Sequence, residues 1–95
     1  MFAHAMLLAR GIMSPEDAIL AVLNERDPGK TICPSEAARR LAGEDAEWRA
    51  SMPKVRAAGR KLADDGRIEV LKKGKVVDPH TVKGVIRYRW KDEGS

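Results

Sequence analysis

Apolar residues recur at spacings of three and four in three stretches of the chain, which is the period of a helix with one buried face. In the first stretch Ile19, Val22 and Leu23 follow Ser14-Pro15-Glu16-Asp17. That opening combines an N-cap, a proline at the first helical position and acids in the first turn. It predicts a helix over 15–26, closed by the turn Asp27-Pro28-Gly29. In the second, Ala37, Ala38, Leu41 and Ala42 follow Pro34-Ser35-Glu36 and predict a helix over 34–42, ended by Gly43. Its small apolar side chains suit close packing. In the third, Met52, Val55, Gly59, Leu62 and Ala63 share one side of a helix running from Pro53 towards Gly66. Ser51 is its expected N-cap, Pro53 falls in the first turn, and Gly66 stands where a C′ glycine belongs.

The period then changes. Ile68 and Val70 alternate with charged neighbours, so 67–72 reads as a half-buried strand. Lys73-Gly74-Lys75 is a turn, Val76-Val77 a short return, and Asp78-Pro79 a break. Over 85–90, Ile86, Tyr88 and Trp90 face one way, and Arg87 and Arg89 the other. Thr31-Ile32-Cys33 has room for a single β-bridge. Glu44 to Arg49 is a connector, with Trp48 folded onto the core.

The order helix, bridge, helix, helix, strand, strand predicts an α+β fold that is mainly α. The expected architecture is a winged helix-turn-helix: three helices plus a small antiparallel β-hairpin wing at 71–86. The domain spans 14–91. Residues 1–13 read as a peripheral N-terminal segment, partly helical; Met13-Ser14-Pro15-Glu16 would also serve as a natural start. Residues 92–95 read as a frayed tail.

Ninety-five residues support one core without staples. With only Phe2, Trp48, Tyr88 and Trp90 as aromatics, that core must be mostly aliphatic. One cysteine excludes an internal disulfide and a multi-cysteine zinc site, and His4 and His80 are too scattered to replace one. No metal and no cofactor is expected. No apolar run approaches the ~18 residues of a membrane span, and the N-terminal apolar run lacks the features of a signal peptide. Cytoplasmic residence is the expectation.

The net charge of +4 is unevenly placed. Residues 1–52 carry six Lys/Arg against eight Asp/Glu, net −2; residues 53–95 carry twelve against six, net +6. A basic second half suits a polyanion. On the third helix Arg56 and Arg60 line one flank, joined by Arg49 if the helix reaches back that far. Lys54 and Lys61 line the other, with small Ala57 between. A solvated cationic face and a recognition helix both fit this pattern. The wing adds Lys72, Lys73, Lys75 and Lys83, which are placed to contact phosphates. The expected activity is double-stranded DNA binding, as in a small transcriptional regulator. Arg56 and Arg60 are the candidates for base edges, because arginine pairs bidentately with guanine. Asp64 and Asp65 should point away from the phosphates. The alternative is a protein–protein interaction module using the same surface.

Other chemistry is sparse. No nucleophile, base or Gly-rich phosphate cradle is in place, so no enzyme is expected. Cys33 at the start of the second helix reads either as a small capping residue or as a redox-sensitive thiol. His80 reads as a wing residue in contact with phosphate or water. Tyr88 and Trp90 belong to the core face rather than to a base-stacking surface.

Residues 14–90 also resemble a known bacterial family. The matching stretches are Gly29 to Glu36, Trp48-Arg49 with Met52-Pro53 and Val55-Arg56, and Gly66-Arg67-Ile68. They continue with Lys73-Gly74, Val77-Asp78-Pro79, and Gly84 followed by Ile86-Arg87. The family is the one labelled domain of unknown function 3253. Val85 stands where the family's Gly-Pro-Ile-Arg run has proline. The resemblance implies a winged-helix fold and no established activity.

Overall fold

The structure, a computed structural model, describes residues 13–43 and 47–91. The expectations for residues 1–12, for the first half of the connector and for the tail at 92–95 lie outside the described residues.

Three helices form where the apolar periodicity placed them. Helix α1 is Pro15–Asn24. The Asp17 N–H donates to Ser14 Oγ at 3.0 Å, and the Ser14 N–H donates back to the Asp17 carboxylate at 3.3 Å. This reciprocal cap satisfies two N–H groups that the helix cannot. The helix ends two residues before the expected Arg26, because the Glu25 and Arg26 N–H groups bond back three residues to Val22 and Leu23 and tighten the last turn. Helix α2 is Pro34–Ala42. The Glu36 carboxylate accepts the Cys33 N–H at 2.9 Å and also pairs with Arg26. Burial pushes the Glu36 carboxyl up, but the Cys33 N–H and the Arg26 guanidinium outweigh it and hold the group below the ordinary glutamate value.

Helix α3 is Met52–Asp64, entered through a 3₁₀ turn over Trp48–Ser51. That turn corrects one expectation. Ser51 is already helical, with φ −86° and ψ −11°, and its side chain caps nothing. At the other end the Arg67 N–H reaches the Leu62 carbonyl at 3.0 Å, closing the helix around Gly66 at φ 77°. Left-handed backbone of this kind favours glycine.

Strands β1 (Ile68–Lys72), β2 (Lys75–Val76) and β3 (Arg87–Trp90) form an antiparallel sheet in the order β2-β1-β3. The β1–β2 hairpin closes through Lys73 and Gly74, both at positive φ, which matches the twist of a two-residue connection. Val70 stands opposite Tyr88, and Ile68 opposite Trp90. Ile32 adds a single bridge on the far side of Tyr88, with both backbone hydrogen bonds made. The partner strand begins at Arg87, two residues later than expected; Val85 is 80% exposed and unpaired.

The core lies between the three helices and one face of the sheet. Ile19, Leu23, Ile32, Val55, Ile68 and Val70 are among its fully buried side chains, and Tyr88 is the largest of them. On α3 the buried residues are Val55, Ala58, Gly59 and Leu62, while Met52 and Ala63 sit at the edge. The buried stripe is therefore centred nearer Ala58 than the sequence reading had it. The fold is α+β and mainly helical, in an arrangement compatible with a winged helix. No helix among the described residues is long and apolar enough to cross a membrane.

Candidate nucleic-acid interface

Arg56 and Arg60 stand one helical turn apart on the α3 flank that faces the chain leading into β3. Both are half-buried. With Met52 they form one wall of a groove of about 820 Å³. Cys33, Pro34 and Ser35, at the start of α2, form the end wall. The segment from Val82 to Arg87 forms the other side. Four cations therefore line the groove: Arg56, Arg60, Lys83 and Arg87. No carboxylate lines it.

The ion pairs lie elsewhere. Arg26 pairs with Glu36, Arg40 with Glu25 at 2.6 Å, and Arg89 with Glu69 across the sheet at 2.8 Å. Among the described residues none of the four groove cations forms an ion pair. Unlike the paired charges, they keep their full attraction for an incoming anion. Arg87 is nevertheless held in place: its Nε donates to Thr31 Oγ1 at 2.5 Å and a terminal nitrogen donates to the Thr31 carbonyl at 3.1 Å.

The remaining expected site residues fall in other places. Lys54 is exposed on the opposite flank of α3, and Ala57 is exposed between the flanks. Lys61, on the same flank as Lys54, reaches towards Glu16 of α1 at 3.9 Å. Lys73 and Lys75 are exposed at the hairpin turn. Lys72 is different: its ammonium donates to the Lys83 carbonyl at 2.6 Å and braces the segment that carries Lys83 into the groove. Arg49 does not extend the Arg56–Arg60 row. It lies over the Trp48 ring at 4.5 Å, with Arg39 also over that ring at 4.7 Å. Cation–π attraction of this kind comes from the ring quadrupole. The 3₁₀ turn ahead of α3 is what diverts Arg49. His80 donates from its ring nitrogen to the Asp64 carboxylate at 2.8 Å, so it ties the chain after β2 to the end of α3.

Tyr88 does not line the groove; it lies in the core beside Arg56 and Arg60, at a small separate cavity that the three share. Its side chain is fully buried, and its hydroxyl has no hydrogen-bond partner among the described residues. Burial pushes the phenol up to about 12, with the nearby charges of Arg56 and Arg60 pulling the other way. At neutral pH it is an O–H donor. Among the described residues no cluster of three or more His, Cys, Asp or Glu side chains is placed to hold a metal ion.

A family model described as protein of unknown function (DUF3253) matches residues 13–91, most of the chain. The chain belongs to that family. No curated protein matches it. The match includes every groove residue and the whole described fold, and the family brings no activity with it.

Arg87 is the groove residue that the sequence reading left out. Alternation did place it opposite Ile86 and Tyr88, away from the core. Its place beside Arg56 depends on the Ile32–Tyr88 bridge, which brings Thr31 alongside β3, and no local pattern encodes that pairing.

Proposed function

We propose that this domain binds double-stranded DNA, in the manner of a small transcriptional regulator, with α3 as the recognition helix and the β1–β3 region as the wing. The observation that carries the proposal is the groove lined by Arg56, Arg60, Lys83 and Arg87 without a carboxylate. Cations concentrated on one surface and without carboxylate partners are what a phosphate backbone recruits. The exposed Ala57 face of α3, with Lys54 at its edge, leaves room for close approach to a duplex. Lys73 and Lys75 at the hairpin turn extend the cationic surface.

The half-buried position of Arg56 and Arg60 suits phosphate contact better than the base-edge role that spacing alone suggested. Phosphate contacts fix register and orientation and carry no base information. The proposed site residues are therefore Arg56, Arg60, Lys83 and Arg87 in the groove, with Lys54, Lys73 and Lys75 around it. Lys72 acts through the Lys83 backbone, and Lys61 is drawn towards α1.

One observation favours a second reading. The groove also presents apolar Met52, Val82 and Ile86, and Val85 stands 80% exposed at its rim. Such a surface also fits a protein segment carrying acidic and apolar residues. Fluorescence anisotropy with a labelled random-sequence duplex separates the two. DNA binding predicts an affinity tighter than ~10⁻⁴ M at low salt, reduced in the double variant Arg56→Gln/Arg60→Gln. A protein-binding groove predicts no such affinity.

A further inference from the structure

Arg39 and Arg49 share one aromatic ring. The guanidinium carbon of Arg39 lies 4.7 Å from the centre of the Trp48 ring, and that of Arg49 lies 4.5 Å from it. Trp48 is half-buried and packs on the core, while both arginines are exposed. A hollow of about 510 Å³ opens beside them, lined by Arg39, Arg40, Gly43 and Trp48. Arg40 is paired with Glu25. Among the described residues neither Arg39 nor Arg49 makes an ion pair or a side-chain hydrogen bond. Glu47, next to Trp48, is exposed and pairs with neither; Glu44 and Asp45 lie outside the described residues.

The stack favours a phosphate-bearing ligand. A guanidinium held against a ring face uses none of its five N–H donors, so both arginines keep theirs for a partner. Two cations over one ring also repel each other, and an anion bound by both offsets that repulsion. The ring carries the two guanidinium groups, which makes it their mount rather than a platform for a base.

The stack adjoins the groove without belonging to it. Arg39 stands one turn beyond Ser35 on α2, and Arg49 stands one turn before Met52 in the 3₁₀ entry to α3. Ser35 and Met52 both line the groove. Arg39, Trp48 and Arg49 therefore lie past its Met52 end, where the 3₁₀ turn packs against α2.

We propose that Arg39 and Arg49, mounted on Trp48, form a second phosphate contact, separate from the groove, that takes backbone phosphates of the same duplex past the start of α3. The proposal rests on the DNA reading for its ligand. Trp48 is a positioning residue: it holds the arginines and leaves the phosphates to them.

The experiment is duplex anisotropy over a series of salt concentrations, with the whole chain. Parent, Arg39→Gln/Arg49→Gln, Arg39→Lys/Arg49→Lys and Arg56→Gln/Arg60→Gln are compared, after a thermal melt has shown that each is folded. The contact predicts that the Arg39→Gln/Arg49→Gln protein has a log–log slope shallower by about 2, with every groove residue in place. The lysine variant keeps both charges but loses the flat fork that stacks and pairs. It should keep the parent's slope and bind about tenfold more weakly at a given salt, as loss of one charged hydrogen bond implies. An Arg39→Gln/Arg49→Gln protein with the parent's slope overturns the contact; if the groove variant is then still shallower, the DNA reading stands without it. A lysine variant that binds as tightly as the parent also overturns it, because the arginines then act only as diffuse charge. A parent that binds no duplex overturns the DNA reading and the contact with it.

Discussion

Tyr88 occupies the space in which a side chain at position 59 would stand: a Cβ built on Gly59 lies 2.4 Å from the Tyr88 oxygen and 2.5 Å from its ring. A glycine in the middle of α3 costs about 1 kcal/mol of helix propensity relative to alanine. Here it is the condition for seating the largest buried side chain of the domain between α3 and the sheet. The same seat places the hydroxyl beside Arg56 and Arg60.

Gly59→Ala should therefore destabilise the fold. Overpacking against a buried ring costs about 1–3 kcal/mol and offsets the propensity gain of about 1 kcal/mol, so a net loss of up to about 2 kcal/mol is expected. Urea denaturation measures it. A variant as stable as the parent would mean that the Tyr88 ring is not seated on the helix backbone.

Tyr88 is the chain's only tyrosine, so tyrosinate absorbance reports it alone. Its folded pKa of about 12 lies above the ordinary value of 10.0. For an acid raised in the fold, the neutral form is the one the fold favours. The contribution is fully present below pH ~10 and is lost as pH rises towards the folded value, at about 1.4 kcal/mol per unit. Absorbance should rise near pH 12 together with loss of structure. A midpoint near 10 with the fold intact contradicts the buried placement.

Leu62 is buried on α3 beside Val55 and Ala58. Leu62→Ala should cost about 2–5 kcal/mol in the same denaturation assay. An unchanged midpoint would reverse the assignment of the helix faces.

The hairpin lysines divide by their contacts. Lys73→Ala and Lys75→Ala touch exposed side chains and should change stability by less than about 0.5 kcal/mol. If both residues contact phosphates, each change lowers the slope of log affinity against log salt by about 0.9. Lys72→Ala removes the bond to the Lys83 carbonyl and should cost about 0.5–1.5 kcal/mol. Equal stability losses at all three positions would contradict this division.

Much of this fold is legible locally. Ser14-Pro15 and Cys33-Pro34 open α1 and α2 as written, because capping and proline geometry act within one turn. The alternation of Ile68 and Val70 gave β1, and Gly66 marked the end of α3. The misjudged places are of two kinds: a local 3₁₀ entry into α3 that the residue types do not signal, and contacts far apart in sequence. Ser51 loses its cap because the connector enters α3 as a 3₁₀ turn. Arg49 leaves the Arg56 row for the Trp48 ring. Lys61 and Lys54 share a flank, as the helical period requires, but only packing of α1 against α3 brings Glu16 to Lys61. Spacing found Arg56 and Arg60; it could not bring Arg87 or Tyr88 beside them, since both follow from the pairing of β3 with Ile32.

The groove's unpaired cations are the centre of the proposed function, and the salt dependence of duplex binding tests them most directly. Anisotropy of the parent with a random-sequence duplex should give a log–log slope at least as steep as about −3 to −4 from the four groove cations, and steeper by about 0.9 for each of Lys54, Lys73 and Lys75 that also contacts a phosphate. The double variant Arg56→Gln/Arg60→Gln should be shallower by about 2. A parent that binds no tighter than ~10⁻⁴ M at low salt, or one whose affinity does not change with salt, contradicts phosphate recognition by this groove.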